Sequence, residues 1–172
     1  MACSRVVCVR HVVYRHEATL CLCRQADKDN HSVKTSGDAM LSLSIRTESR
    51  EQFVNVTGAV RDALAGTAWS NGALLLFCPH TTCGLTVNEG ADPDVVRDMT
   101  RFFSETIPRR NNWRHAEGNS DAHLKSSLLG CSLLLPVEDG ALRLGTWQSV
   151  YLFEGDGPRA RTLWLQWLPG EE

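Results

Sequence analysis

Short stretches of alternating apolar and polar residues occur along this chain, and each one predicts a β-strand. Leu41, Leu43 and Ile45 alternate with polar neighbours, which is typical of a strand with one buried face. The apolar run ALLLFC begins at Ala73 and stops at Pro79, so it predicts a buried central strand. The stretch CGLTVNE alternates again and predicts another strand.

A first helix is predicted where Val56, Val60 and Leu64 recur every fourth residue, ending at Gly66. From residue 131 onward the pattern returns to short strands separated by turns. Strands dominate this half and helices are few, which predicts an α+β fold.

Two further helices have recognisable ends. One is predicted to have Asp92 as its N-cap and Pro93 as its first residue. The carboxylate can accept hydrogen bonds from the unpaired backbone N–H groups of the first turn, and a proline there removes no N–H group that the helix would use. Its buried face is predicted to consist of Val95, Met99, Phe102, Phe103 and Thr106. The other helix is predicted to be capped by Asn119 or Ser120 and closed by Gly130.

The last predicted strand is apolar on both faces. Leu163 and Leu165 lie on one face, whereas Trp164 lies on the other. A strand buried on both faces needs a second partner. The pattern therefore predicts a contact beyond the chain's own core.

Length and composition predict one domain with an extension, since 172 residues with 42% hydrophobic content suffice for a sizeable core. We assign residues 39–169 to the domain, residues 1–38 to a variable, poorly ordered extension that ends in a linker, and residues 170–172 to a tail. The net charge of −2 does not indicate nucleic acid, and no apolar run reaches the roughly 18 residues that cross a membrane.

Seven cysteines, an odd number, indicate reduced thiols rather than a disulfide framework, so we predict a cytoplasmic protein. The arginines of the N-terminal leader leave mitochondrial targeting as the alternative. Cys78 and Cys131 lie in apolar runs and are predicted to be small buried residues. Cys83 is a weak candidate for a nucleophile, because its thiol would have to lie beside a base.

Candidate chemistry concentrates in two polar stretches, residues 79–94 and 114–130. They contain His80, His115 and His123, which are all the histidines between residue 41 and the C-terminus. Three imidazoles with one open position are typical of a catalytic zinc site, so these residues are predicted to be catalytic and are also candidate metal ligands. The alternative is that His80 and His123 only bond neighbouring backbone.

Carboxylates and amides in the same stretches extend the predicted site. Glu117 and Glu89 are candidates for general acid or base, because a carboxylate beside histidines in a pocket can titrate closer to neutrality. Glu89 could instead pair with an arginine of the following helix. Asn119 and Asn88 could orient a substrate, although Asn88 could also be a turn residue.

Hydroxyl and cationic groups predict recognition of an anion. Thr81 and Thr82 follow His80, while Ser120 and Lys125 lie near a helix start, so they could meet a phosphate. The alternative for Ser120 and Lys125 is a solvated helix face. Gln148 is a further candidate for substrate binding.

Three blocks, PHTTCGLTVNEGADPDVVRDM, HAEGNSDAHLKSSLLG and LGTWQSVYLFEGDGPR, resemble in order the signature blocks of the YjbQ-like family, whose members are described as secondary thiamine-phosphate synthase enzymes. The resemblance covers roughly residues 41–167. It implies two packed, mostly antiparallel sheets with flanking helices, and a homotrimer.

The resemblance also implies an activity. The enzyme would join a hydroxymethylpyrimidine diphosphate to a thiazole phosphate and release pyrophosphate, with a divalent metal such as zinc or magnesium, or a ring of donors, stabilising the departing charge. The alternatives are a metal-assisted hydrolase of a phosphorylated small molecule and a trimeric metal- or ligand-binding protein without turnover.

Overall fold

Two antiparallel sheets form the framework of the computed structural model, which describes residues 31–35 and 39–170 and the side chains of residues 39–170. The elements in chain order are β1 (His31–Thr35), β2 (Met40–Arg46), β3 (Gln52–Asn55), α1 (Thr57–Ala65), β4 (Gly72–Phe77), β5 (Cys83–Glu89), α2 (Pro93–Thr106), α3 (Ser120–Leu129), β6 (Ser132–Glu138), β7 (Ala141–Leu142), β8 (Gln148–Glu154) and β9 (Ala160–Pro169). The larger sheet has the order β1-β2-β9-β4-β6-β7, and the smaller has the order β3-β8-β5.

One hydrophobic core lies between the sheets. The larger sheet contributes side chains such as Leu43 and Leu163, the smaller contributes Leu85 and Leu152, and α1 adds Val60. All of these side chains are fully buried. The predicted α+β architecture of two packed antiparallel sheets with flanking helices is therefore confirmed.

The central strand β4 differs from its prediction on one face. Leu74 and Leu76 are buried in the core, whereas Leu75 and Phe77 on the outer face are only half-buried. The same outer face exposes Leu134 of β6, along with Trp164 and Leu168 of β9. The larger sheet thus presents an apolar outer surface, defined here by these residues as the outer sheet face.

Helix α2 begins as predicted, because Asp92 is its N-cap and Asp92 Oδ1 accepts a hydrogen bond from the Asp94 amide at 2.8 Å. Its predicted buried face is wrong in part. No residue of α2 is fully buried, Thr106 is exposed, and Phe102 is 61% exposed. The helix lies on a sheet of only three strands, so Val96, Met99 and Phe103 suffice to cover the aromatic cluster Phe53, Tyr151 and Phe153.

Residues 31–35 form β1, although the sequence pattern places them in a linker. They pair antiparallel with β2, with His31 opposite Ile45 and Thr35 opposite Leu41. Strand pairing uses main-chain groups, so a polar stretch can extend a sheet at its edge. The rest of the predicted extension lies outside the described residues, and so does the possible targeting leader. No helix among the described residues is both long and apolar enough to cross a membrane.

Helix α3 lies directly against β5 because residue 84 is glycine. A Cβ atom at Gly84 would lie 2.7 Å from Leu129 Cβ and 3.3 Å from the Gly130 carbonyl oxygen. Ser126 Oγ, on the same side of α3, donates a hydrogen bond to the Cys83 carbonyl at 2.5 Å. The close approach therefore fixes how α3 sits on the sheet.

We expect Gly84→Ala to lower the free energy of unfolding by about 1–3 kcal/mol, because the added methyl group overpacks the contact between α3 and β5. Gly58→Ala in α1 is the matched control, since no atom lies within 4 Å of a Cβ built there. Urea unfolding of both variants measures the difference. Equal stability of the two variants would contradict the packing role of Gly84.

Candidate active site

The two faces of α3 differ in character. Asp121, Ala122, Lys125 and Ser126 are buried on one face. His123 lies on the other face and is half-buried beside the solvent. The helix therefore directs an imidazole toward the surface and a pair of opposite charges toward the interior.

His80 lies in the turn between β4 and β5 and is held by the backbone of β9. The amide N–H of Thr162 donates a hydrogen bond to His80 Nε2 at 2.9 Å. The neutral ring must then carry its proton on Nδ1. Burial lowers the pKa of His80, and the nearby Arg161 guanidinium lowers it further, so the ring is neutral at pH 7. His80 therefore presents an N–H donor and no lone pair.

His115 and His123 come together as predicted, although they are eight positions apart. Their ring centroids are 5.4 Å apart with planes at 77°. Glu117 Oε2 lies 3.8 Å from His115 Nε2, which is beyond hydrogen-bond distance, and the Glu117 side chain is 73% exposed. Glu117 accordingly lies at the surface, where water keeps its carboxylate solvated.

An open cavity of about 730 Å³ contains two of the three histidines. His80 and His123 line it together with Phe77 and Trp164, whose rings are stacked with centroids 5.7 Å apart. Its lining is completed by Cys78, Pro79, Thr81, Ser126, Ser127, Gly130 and Cys131. We call this cavity the aromatic cleft.

A second cavity of about 510 Å³ shares the wall residue His123 with the aromatic cleft. His123 lines both cavities, and the second one is also lined by His115, Ser120, Trp113 and Arg114. We call it the bridging cavity. His123 therefore lies between two cavities, one of which is lined by His80 and Thr81 and the other by His115 and Ser120.

The predicted metal site is not assembled within one chain. Among the residues that the structure describes, no three His, Cys, Asp or Glu side chains are close enough to hold a metal ion. His80 also uses its available lone pair for the Thr162 amide. The donor set does not fit a three-histidine centre, and metal binding by His80, His115 and His123 stays a prediction.

Lys125 is neither on a solvated helix face nor directed to a cavity, contrary to both readings of the sequence. Its side chain is fully buried, and its Nζ lies 2.8 Å from both carboxylate oxygens of Glu51 and 3.3 Å from Asp121. Arg50 makes a two-point hydrogen bond with the same Asp121 at 2.9 and 3.0 Å. Lys125 therefore ties α3 to the start of β3 rather than binding a phosphate.

A second buried charge pair lies under the aromatic cleft. Arg161 donates to both carboxylate oxygens of Glu154 at 2.5 and 2.6 Å, and to Thr82 Oγ1 at 2.9 Å. Thr47 Oγ1 donates a further hydrogen bond to Glu154. The Thr82 hydroxyl is thus committed inside the protein, and only Thr81 of the two predicted threonines faces the cleft.

Asn119 is buried at the start of α3. Its Nδ2 donates to Asp156 Oδ2 at 3.1 Å, and its Oδ1 has no hydrogen-bond partner among the described residues. It makes no side-chain cap on α3, whose N-cap position it occupies. Asn119 holds the segment before β9 instead of lining one of the two cavities.

Three predicted site residues lie at the far end of the smaller sheet. Glu89 pairs with Gln148 in the register of β5 and β8, whereas Cys83, next to the His80 turn, pairs with Glu154 at the other end. Six residue steps along a strand span about 20 Å. Asn88, beside Glu89, has its amide bonded to Met99 Sδ. Asn88, Glu89 and Gln148 therefore do not share a site with His80 within one chain.

The burial of one cysteine differs from its prediction. Cys78 and Cys83 are buried, but Cys131 is exposed and lines the aromatic cleft. A hydrogen bond with Cys78 and burial together raise the pKa of the Cys83 thiol. Cys83 is therefore protonated and closed to a substrate.

Acid should weaken the fold through Asp121. Burial alone would raise the pKa of Asp121, but hydrogen bonds and charge from Arg50 and Lys125 hold it below its ordinary 3.8. A depressed folded-state pKa stabilises the protein above the unfolded-state value, and this contribution disappears as the pH falls through the folded-state value. We expect the unfolding free energy to fall below about pH 4 in the wild type, and less steeply in Asp121→Asn. Urea unfolding at several pH values measures the slope, with exposed Asp98→Asn as the control that keeps it.

The sequence of residues 41–170 matches the family model described as UPF0047 protein YjbQ-like. The chain belongs to this YjbQ-like family. It is similar to UPF0047 protein YugU of Bacillus subtilis, with 48% identity over 126 residues, which are 73% of this chain and 96% of that protein. It is also similar to UPF0047 protein MJ1081 of Methanocaldococcus jannaschii, with 42% identity over 127 residues, covering 74% and 92% of the two chains.

Solved structures of YjbQ-like proteins agree with the fold. The conserved hypothetical protein TT1486 from Thermus thermophilus has 53% identity and a TM-score of 0.69, covering 74% of this chain and 98% of that chain. The hypothetical protein APE1520 from Aeropyrum pernix has 38% identity and a TM-score of 0.73, covering 76% and 98%. The YjbQ-like architecture is therefore established for this chain.

Proposed function

We propose that this YjbQ-like protein is an enzyme that acts on phosphorylated, ring-containing small molecules in the aromatic cleft. The observation that carries the proposal is the meeting of two histidines with a stacked aromatic pair in one cavity. Ligand sites are typically cavities of about 300–1,000 Å³ that are mostly apolar with a few polar groups. The aromatic cleft has this size and this mixture of side chains.

The reaction we propose is thiamine-phosphate synthesis, as the family resemblance implies. A nitrogen of the thiazole phosphate attacks the methylene carbon of the pyrimidine diphosphate, a C–N bond forms, and the C–O bond breaks. The departing pyrophosphate takes the bonding electron pair. Hydrogen-bond donors aimed at that developing charge lower the barrier.

Each cleft residue has a role in this proposal. The stacked rings of Phe77 and Trp164 offer a flat apolar platform to a heteroaromatic ring. His80 donates its Nδ1–H to an anionic oxygen while remaining neutral. His123, with His115 in contact behind it, lies between the platform and the bridging cavity and is the candidate to position the leaving group.

The histidine role predicts a large loss of activity. We expect His123→Ala to lower kcat/KM about 100-fold or more, because it removes the imidazole that the proposal places between the aromatic platform and the leaving group. Ser127→Ala is the matched control, since Ser127 lines the same cleft but its hydroxyl is bonded to the His123 carbonyl at 2.8 Å. Product formation from the pyrimidine diphosphate and the thiazole phosphate, with and without Mg²⁺ or Zn²⁺, measures both variants.

The wild-type result decides among the candidate functions. Absence of product in every metal condition would overturn the synthase proposal. Phosphate release from either substrate alone would favour the hydrolase instead. Tight binding of either substrate without any turnover would favour the ligand-binding protein.

We also propose that the protein is a homotrimer in which the part of the outer sheet face formed by Leu75, Leu134 and Leu168, beyond the Phe77–Trp164 pair, contacts other copies of the chain. Leu134 is 63% exposed there and lies opposite Leu75, which is itself half-buried. An apolar face of this kind is typical of an interface. Sedimentation should give three times the chain mass for the wild type and a smaller mass for Leu134→Glu. A wild-type monomer would contradict the proposal.

A further inference from the structure

The loop between α2 and α3 carries a cluster of arginines that no motif explains. Arg109, Arg110 and Arg114 lie within six residues, together with Trp113 and His115. The chain as a whole has a formal charge of −2, so this concentration of positive charge is local.

None of these three guanidinium groups is paired within the described part of the chain. No carboxylate of residues 39–170 lies within 4.0 Å of Arg109, Arg110 or Arg114. On the neighbouring helix α2, by contrast, Arg97 pairs with Asp94 and Arg101 pairs with Asp98. The arginines of the loop therefore have no carboxylate partner among the described residues, whereas those of α2 are neutralised by neighbouring aspartates.

These groups line a cavity. Arg109 and Arg110 form part of the wall of a cavity of about 360 Å³, together with Asn111, Trp113, His115 and Gly118. We call it the arginine cavity. Two guanidinium groups with an imidazole beside them supply planar and directional N–H donors, which suit the oxygens of a phosphate group.

Hydrogen bonds within the loop hold the arginine cavity in shape. The Trp113 amide donates to the Asn111 carbonyl at 2.7 Å, and Trp113 Nε1 donates to the Pro108 carbonyl at 3.2 Å. The Gly118 amide donates to the His115 carbonyl, and Gly118 has φ +71°, a conformation that favours glycine. The walls are thus organised before any ligand arrives, which lowers the cost of binding.

The arginine cavity and the aromatic cleft are related through wall residues that they share with the bridging cavity. His115 lines both the arginine cavity and the bridging cavity, while His123 lines both the bridging cavity and the aromatic cleft. The three cavities therefore follow one another along shared wall residues, with stacked aromatic rings in the first and arginines in the last. This order matches an elongated ligand with a flat ring and a polyanionic end.

We propose that the arginine cavity is the subsite for the diphosphate or pyrophosphate group of the ligand. Arg109 and Arg110 bind its oxygens, and Trp113 and His115 form the side wall. The inference rests on the proposed function for the rest of the ligand, but the anion subsite can be tested by itself with inorganic pyrophosphate.

The test is calorimetric titration of the full chain with pyrophosphate at fixed ionic strength. We expect the double variant Arg109→Gln, Arg110→Gln to bind pyrophosphate at least about tenfold more weakly than the wild type, as expected for the loss of charge-assisted hydrogen bonds. The double variant Arg97→Gln, Arg101→Gln has the same net charge and should bind within about twofold of the wild type. All four arginines are exposed, so both variants are expected to fold. Thermal unfolding of each variant checks this.

Two results would overturn the subsite. Equal weakening by both double variants would mean general attraction of an anion to positive charge, and no binding by the wild type at millimolar pyrophosphate would mean that no subsite exists. The outcome is separable from that of the synthase assay. If pyrophosphate binding depends on Arg109 and Arg110 but no product forms, the subsite is supported and the synthase is refuted. If product forms but pyrophosphate binding does not depend on these arginines, the synthase is supported and the subsite is refuted.

Discussion

Replacing Arg161 with methionine is expected to lower the free energy of unfolding by about 3–5 kcal/mol, because it strands the buried carboxylate of Glu154 without its counter-charge. Glu154 is 0% exposed and Arg161 is 5% exposed, so water cannot replace the lost partner. The remaining neighbours, Thr47 and the Asp156 amide, donate hydrogen bonds but carry no positive charge. Methionine keeps much of the volume, so the loss reports charge rather than a cavity.

Urea unfolding measures this loss against a surface control. Arg143→Met removes the partner of Glu138 in a pair whose side chains are 66% and 58% exposed, and it should cost no more than about 1 kcal/mol. Adding Glu154→Leu to Arg161→Met should restore part of the stability, since the stranded charge is then gone. Similar costs for Arg161→Met and Arg143→Met would show that the burial of the pair has no energetic weight.

Lys125→Met is expected to have a comparable effect, also about 3–5 kcal/mol, through a different pair of carboxylates. Lys125 is 0% exposed and bonds both Glu51, in the segment before β3, and Asp121, on α3. Asp121 keeps Arg50 after the substitution, but Glu51, only 14% exposed, loses its nearest cation. The variant should therefore also loosen the contact between α3 and the segment before β3.

The helical pair Arg101 and Asp98 supplies the control for Lys125→Met. Each side chain of this pair is 68% exposed, and the two residues are three positions apart on the helix. Arg101→Met should therefore lower the free energy of unfolding by less than about 1 kcal/mol. Hydrogen exchange of the α3 amides adds a local measurement, and faster exchange is expected in Lys125→Met only. Unchanged exchange in α3 would mean that Lys125 does not hold the helix to the rest of the domain.

The elements of this fold were predictable because local signals agree with the final packing. The alternation at residues 40–46 matches the buried and half-buried positions of β2, and the cap at Asp92 forms with its predicted donor. The exposure of the Phe102 side chain was not predictable. Helical spacing shows where the apolar stripe of a helix lies, but not how much of that stripe the neighbouring sheet is wide enough to cover. A three-stranded sheet covers only part of the stripe on α2.

The candidate site was predictable for the histidines and not for the charged residues. His123 lies near each of the other two, since it lines one cavity with His80 and another with His115, but neither cavity contains all three histidines. Much of the remaining polar content of the motifs serves the interior instead. Only the spacing of Asp121 and Lys125, four residues apart on a predicted helix, could have signalled a pair.

The long-range partners of these charges had no signal in the sequence. Arg50 lies 71 residues from Asp121, and Thr82 lies 79 residues from Arg161. Such contacts follow from the packing of α3 and β9 against the sheets, which no local pattern specifies. A dense run of polar residues in a motif can therefore mark a buried network as readily as a site of reaction.

The pairing of β1 with β2 affects how this protein behaves among other copies of itself. A strand at the rim of a sheet leaves a row of main-chain donors and acceptors that recruit extended segments of other molecules. Residues 31–35 occupy that row along β2. A shortened chain beginning at Ala39 would retain the core, yet its edge strand would be the longer and more apolar β2 instead of the five-residue β1, and such an edge favours aggregation by strand addition.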